Sequence, residues 1–165
     1  MSDATIIETA RILLHPLSEA EARRIVEGDR GPGDRWAEGY PGDFDVAGAR
    51  GFLDGVAAHG DPGVYRAYEI RRLADGVAIG GIGFHGPPDP AGVVTVGYGL
   101  VPAVRGHGYA AESLRALIDR AREAGATAVR GDADLGNLAS QRVMEAAGMA
   151  YESEDERVRN YRLVF

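Results

Sequence analysis

The stretch VRGHGYAAESL, residues 104–114, holds the most chemically suggestive spacing in the chain. An apolar run, TVGYGLVP (95–102), precedes it and a helical pattern follows it. The first backbone N–H groups of a helix lack internal partners, and the helix dipole adds partial positive charge there. Gly106 and Gly108 let the backbone approach a ligand closely, and Arg105 adds a full charge at the rim. A strand–turn–helix of this kind suits a phosphate or pyrophosphate; the bland alternative is that the glycines only turn the chain. No Gly-Lys-Ser/Thr follows, so this is not an ATP-binding P-loop. GHGYAA (106–111) does match the G-x-G-x-x-A dinucleotide fingerprint, with Asp132 and Asp134 placed where a ribose-binding acid would sit. Against that reading, only about 30 residues follow Asp134, too few for further parallel βα units, and the strands before the motif read as a meander.

A second motif lies downstream: NLASQRVMEAAGM, residues 137–149. Arg105-x-x-Gly108-x-Ala110, together with Asn137 and Ser140 on the next helix and the closing AAGM, resembles the GNAT superfamily of N-acetyltransferases. VGYGLVPAVRGHGYAAESLRALI (96–118) is similar in particular to the branch that includes ribosomal-protein N-terminal acetyltransferases. The resemblance implies acetyl-coenzyme A as acetyl donor. It implies that the backbone N–H groups of Arg105, Gly106, His107, Gly108, Tyr109 and Ala110 cradle its pyrophosphate. Leu100 and Val101, at the end of a strand splayed from its neighbour, would pair with the pantetheine arm, and Pro102 would end the pairing. An N–H near Val101 would stabilise the oxyanion. Asn137 would hydrogen-bond the arm or simply cap its helix, while Ser140 and Arg142 would reach the thiol or phosphate end.

The chain departs from the family at two points. Where many members carry a glutamate base, the strand has Thr95; where many carry a tyrosine that protonates the leaving thiolate, the helix has Met144. Ser140 is then the candidate for the thiolate. Glu69, His85, Asp132 and Asp134 remain candidate bases. A missing strong base favours a low-pKa acceptor. At pH 7 a lysine-type amine is neutral about once in 2,500, an α-amine roughly once in five to ten. The Gly/Pro-rich loop 29–43 is expected to cover the acceptor, lined by Trp36, Glu38 and Tyr40, with His85 nearby. Trp36 has an equal claim as a plug that pins the loop. Asp34, Glu38, Asp43 and Asp45 would draw a cationic amine. The four histidines show no metal-ligand spacing, so no metal is expected.

The elements that must position these residues can be read from periodicity. Strands are expected at 10–17, 64–73, 76–86, 93–102 and 127–134 (the last buried), with one or two in 150–165. Helices are expected at 18–28, opened by a Ser18/Glu21 capping box, and at 44–60, about 107–124 and 137–148. In the third helix Leu114, Leu117, Ile118 and Ala121 form one apolar stripe. The result is an α+β (mixed α/β) chain with a mostly antiparallel, twisted sheet of about six or seven strands, splayed at the cofactor cleft and flanked by about four helices. Its 165 residues suit a single domain, 1–165. Net charge −7 disfavours nucleic acid as partner, and no run is long and apolar enough to span a membrane. The absence of cysteine rules out disulfides and a thiol nucleophile and fits the cytoplasm. The N-terminus does not read as a signal peptide. The expected activity is transfer of an acetyl group, directly in a ternary complex, to a protein N-terminus or small-molecule amine. The rivals are a non-catalytic acyl-coenzyme A sensor and an NAD(P)-dependent oxidoreductase. A homodimer is also expected: dimers are common in the resembled family, and YRLVF at the C-terminus is β-prone.

Overall fold

The computed structural model describes residues 5–165, so the reading of the extreme N-terminus lies partly outside the described residues. In chain order the elements are β1 (Ile7–Glu8), β2 (Ile12–Pro16), α1 (Glu19–Glu27), α2 (Asp43–His59), β3 (Ala67–Arg72), β4 (Ala78–Phe84) and β5 (Val93–Leu100). A short 3₁₀ turn (Pro102–Val104) leads to α3 (Tyr109–Glu123), β6 (Ala128–Asp134), α4 (Leu138–Ala146), β7 (Ala150–Glu154) and β8 (Val158–Val164). The eight strands form one sheet in the order β1-β2-β3-β4-β5-β6-β8-β7. The strand beyond the expected six or seven is β1, whose two residues are too few to show a period.

Local chemistry sets the element ends. Glu21 N–H donates to Ser18 Oγ at 3.1 Å and Ser18 N–H donates to Glu21 Oε1 at 2.9 Å, closing the capping box of α1. Gly28 ends that helix in the left-handed region. Helix α3 begins at Tyr109, two residues later than expected, because Gly106 and Gly108 both sit at φ +83°.

The fold delivers two faces to the site. Strand β4 is buried along its whole length. Helix α2 packs on one face, where Phe44 lies against Gly97 and Gly99. Helices α3 and α4 cover the other, where Leu114, Leu117, Ile118 and Ala121 are buried as their spacing requires. Strand β6 is less buried than expected: Arg130, Asp132 and Asp134 are exposed, on the face away from α4. No helix among the described residues is long and apolar enough to cross a membrane.

Candidate active site

The site is built where β5 and β6 part. Every neighbouring pair in the sheet is antiparallel except this one, which pairs in parallel over only Val93–Ala128, Val94–Val129 and Thr95–Arg130. Residues 96–100 of β5 and 131–134 of β6 continue without pairing to each other, which opens a gap between the strands. Burial records the parting: Val93, Val94 and Val96 are buried, while residues 97–100 are all half-buried.

Which backbone groups face this gap follows from strand alternation. Thr95 C=O accepts from His85 N–H at 2.9 Å, and Val101 N–H donates to Ile79 C=O at 2.9 Å, both toward the β4 side. The intervening Tyr98 and Leu100 therefore present their backbone groups on the opposite edge, into the gap. This corrects the expectation for Val101, whose N–H is consumed within the sheet; the amides of Tyr98 and Leu100 are the ones available. Arg105 is exposed beside the end of β5. Its Nε–H donates to Leu100 C=O at 3.1 Å, which folds the guanidinium back over the strand end.

Helix α3 starts beside the gap, and no side chain caps its N-terminus at Gly108. Its first-turn amides, at Tyr109 and Ala110, are thus left for another acceptor. Gly106, His107 and Gly108 are exposed, and a Cβ at Gly106 would meet only open space. The loop is held from outside by Arg11, a residue with no sequence signal pointing to the site. Arg11 Nη1 donates to His107 C=O at 2.8 Å, its Nε donates to Glu112 Oε1 at 2.8 Å, and its guanidinium lies over the Tyr109 ring at 4.5 Å. Glu112 also accepts from Arg11 N–H and the Thr9 hydroxyl. Burial opposes its ionisation, but these donors hold its carboxyl below the usual range. The uncapped helix, the paired left-handed glycines and the open strand edge fit a pyrophosphate with an extended arm.

On the α4 side of the gap, Asn137 caps the helix, its Oδ1 accepting from Ser140 N–H at 3.1 Å. Its amide nitrogen remains outside that bond. Ser140 is half-buried, and its Oγ lies 2.7 Å from the hydroxyl of Tyr98, which also donates to Ser140 C=O at 3.0 Å. Tyr98 thus ties β5 to α4 across the opening. Burial raises its phenol, partly offset by Ser140. Arg142 is exposed one turn from Asn137. Met144 is buried against Gly131 and so has a packing role.

On the other face, α2, β3 and β4 enclose a mostly apolar cavity of ≈ 830 Å³. Of the residues expected around the acceptor, Tyr40 and His85 line this cavity, and Trp36 and Glu38 do not. The backbone beside Trp36 bridges to Ala78, and its ring meets Tyr40 edge-on at 5.7 Å, so Trp36 pins the loop, while Glu38 is exposed. Tyr40 donates to Glu69 Oε2 at 2.7 Å; burial, then the Glu69 charge, push its phenol far above the ordinary range. Glu69 also accepts from Arg71 Nε at 2.7 Å, so it is buried but engaged, and it does not line the cavity. Asp132 and Asp134 do not line it either. Asp45 does. Its Oδ2 accepts from Gly42 N–H at 2.8 Å; its Oδ1 is buried without a partner among the described residues. Burial foremost, with Glu69 adding to it against the Gly42 bond, pushes the Asp45 carboxyl up to about 6.

The geometry sets one rival aside. One parallel pair in an otherwise antiparallel sheet is not a dinucleotide fold, and Asp132 and Asp134 are simply exposed residues of β6. A family model described as Acetyltransferase (GNAT) domain matches residues 11–150. The chain belongs to the GNAT acetyltransferase family. As a GNAT enzyme it is an acyltransferase whose acetyl donor is acetyl-coenzyme A. Its fold is similar to that of an acetyltransferase from Agrobacterium tumefaciens (22% identity, 96% of this chain and 94% of that one, TM-score 0.68). It is also similar to the ribosomal-protein-S5-alanine acetyltransferase from Vibrio fischeri (15%, 97% and 96%, 0.70). A third similar structure is a GNAT-family acetyltransferase from Bacillus anthracis (18%, 97% and 98%, 0.68). No curated protein sequence matches the chain.

Proposed function

We propose that this GNAT enzyme, acting as one catalytic domain, transfers the acetyl group directly to a primary amine, an α-amine of a peptide or small molecule before a lysine-type amine. The observation that carries this reading is the arrangement around β5. A strand edge and uncapped helix suited to coenzyme A lie on one side, and a cavity carrying the unpartnered Asp45 carboxylate oxygen lies on the other. A carboxylate beside an apolar wall receives a cationic amine. The likeness to a ribosomal-protein alanine acetyltransferase supports an α-amine as acceptor.

The amides of Arg105 to Ala110 would hold the pyrophosphate and the edge of β5 would hold the pantetheine arm. The gap-facing amides of Tyr98 and Leu100 would stabilise the oxyanion, and most of the rate would come from positioning. The Ser140–Tyr98 hydroxyl pair would return a proton to the leaving thiolate. The test is acetyl-coenzyme A turnover by the purified chain with peptides of free N-terminus, the same peptides blocked at the N-terminus but carrying lysine, and small amines. Faster turnover of the free N-termini or small α-amines is expected; faster turnover of the blocked lysine peptides would overturn the preference.

A further inference from the structure

We propose that Asp45 is the proton acceptor for the incoming amine, and that the cavity beside it selects amines carried on an apolar body. This rests on the amine-acetylating reading above and names both its base and its acceptor class.

Three independent observations meet at Asp45. The first is position. Asp45 is in the first turn of α2, and a Cβ at Gly81 would come within 2.4 Å of its Oδ1, so the carboxylate lies directly on β4. Gly81 pairs with Gly99, the residue between Tyr98 and Leu100, whose amides face the gap. The carboxylate is therefore about one strand's width from the edge where the thioester would lie. Glycine at 81, 97 and 99 is what permits this close approach, because Phe44 and His85 occupy the space above the other two.

The second is the unsatisfied oxygen. A buried carboxylate oxygen without a donor is costly, and native proteins rarely keep one without a use. The groups around it explain why none of the described residues fills that role. Glu69, from β3, is already held by Tyr40 and Arg71 and only repels. Tyr40 spends its hydroxyl proton on Glu69. His85, from the end of β4, has its Nε2 over Gly97. A substrate ammonium supplies the missing donor.

The third is the cavity itself. Phe44, Phe52, Tyr65, Ile82 and Phe84 give it an apolar wall. On α2, Gly48, Gly51 and Gly55 line it at helical spacing, and a Cβ at each would meet nothing within 4 Å. Glycine inside a helix is destabilising, and here three of them leave room. A hydrocarbon or aromatic group fits there better than a polyamine, because the other carboxylate on this wall, Asp61, is already paired with Arg66 and accepts from Gly63 N–H.

In the reaction the bound ammonium first releases one proton to solvent, and the neutral nitrogen then bonds to the acetyl carbonyl carbon as its second proton passes to Asp45. The carbon–sulfur bond then breaks and the thiolate takes a proton from the Ser140–Tyr98 pair. Both groups exchange protons with solvent afterwards, so one amide and one thiol are formed.

The experiment compares wild type, Asp45→Asn, Gly48→Leu and Gly55→Leu on ethylamine, 2-phenylethylamine, a phenylalanyl peptide and spermidine, with acetyl-coenzyme A binding followed separately by thermal shift. Asp45→Asn should keep the acetyl-coenzyme A shift yet lose about 100-fold or more in kcat/KM for every amine. For wild type, log(kcat/KM) should rise with slope two below pH 6 and slope one from there to the amine's own pKa; the variant should show slope one throughout. The leucine variants, which gain helix propensity and so should fold, should lose about tenfold or more on 2-phenylethylamine and the phenylalanyl peptide but little on ethylamine. Wild-type activity unchanged by Asp45→Asn, or the same slope in both proteins, would overturn the base. A preference for spermidine, or leucine variants that treat all amines alike, would overturn the acceptor class. If wild type binds acetyl-coenzyme A but acetylates no amine, the failure belongs to the functional reading on which this rests.

Discussion

The two faces of β5 differ in how they are made. The face proposed for the cofactor is mostly backbone: the amides of an uncapped helix, the free edge of a strand, and two left-handed glycines, steadied by Arg11. The face proposed for the acceptor is side chains from distant segments, Tyr40, Asp45 and His85, gathered over strands stripped to glycine. Backbone recognition ties the cofactor face to a short local motif. The acceptor face depends on which side chains the fold happens to bring together, so it can vary while the donor stays the same.

The comparison breaks most sharply at the glycine loop. Gly108→Val puts a β-branched residue at φ +83°, with strain on the order of 1–3 kcal/mol, and its Cβ would meet Arg11 Nη2 at 3.2 Å. The KM for acetyl-coenzyme A should rise about 100-fold with kcat far less affected, measured by steady-state kinetics. An unchanged KM would mean the cofactor face does not include this loop. Next in size, Ser140→Ala and Tyr98→Phe should each lower kcat about tenfold or more while leaving the acetyl-coenzyme A thermal shift in place, since the pair acts on the leaving group. The double variant should cost little more than either single one.

Arg11→Ala sharpens the same contrast from outside the site. It removes the clamp on His107 and Glu112 without touching the ligand, so the acetyl-coenzyme A KM should rise roughly tenfold and acceptor preference should not move. The smallest effect is on stability. The Asp45 carboxyl, at about 6, lies above its ordinary value of 3.8, so the folded chain holds its proton more tightly than the unfolded one. That contribution is fully present below pH 3.8 and is lost as pH rises through 6. Asp45→Asn should therefore melt higher than wild type at pH 7, by up to about 3 kcal/mol in unfolding free energy, and alike near pH 3.5. Chemical denaturation at the two pH values checks this.

Much of the cofactor face was legible in advance. A helix N-terminus, a glycine turn and a helix-capping asparagine are contiguous in the chain, and their periodicities mark them. The stripe Leu114, Leu117, Ile118 and Ala121 is buried as read, and the Ser18–Glu21 box closes as read. The errors lie where contacts are long-range. Val101 was assigned the oxyanion amide, but which edge of a strand an amide faces depends on its register with β4, and no local pattern encodes that. For Trp36 the sequence leaves two readings open, lining the acceptor site or pinning the loop, and for Glu38 it offers only the first; only the path of that loop over Ala78 decides which of its side chains point inward.

The sequence by itself determined the order of the main elements, the family and the glycine turn at the start of α3, because each rests on residues within a few turns of one another. Only the tertiary structure decided that β5 and β6 part after Thr95, that Tyr98 spans the opening to Ser140, that Arg11 steadies the loop, and that Asp45 lies on Gly81 with one oxygen unpaired. Each of these joins segments far apart in the chain. Their geometry comes from how the sheet is paired and the helices packed, and from the burial that follows.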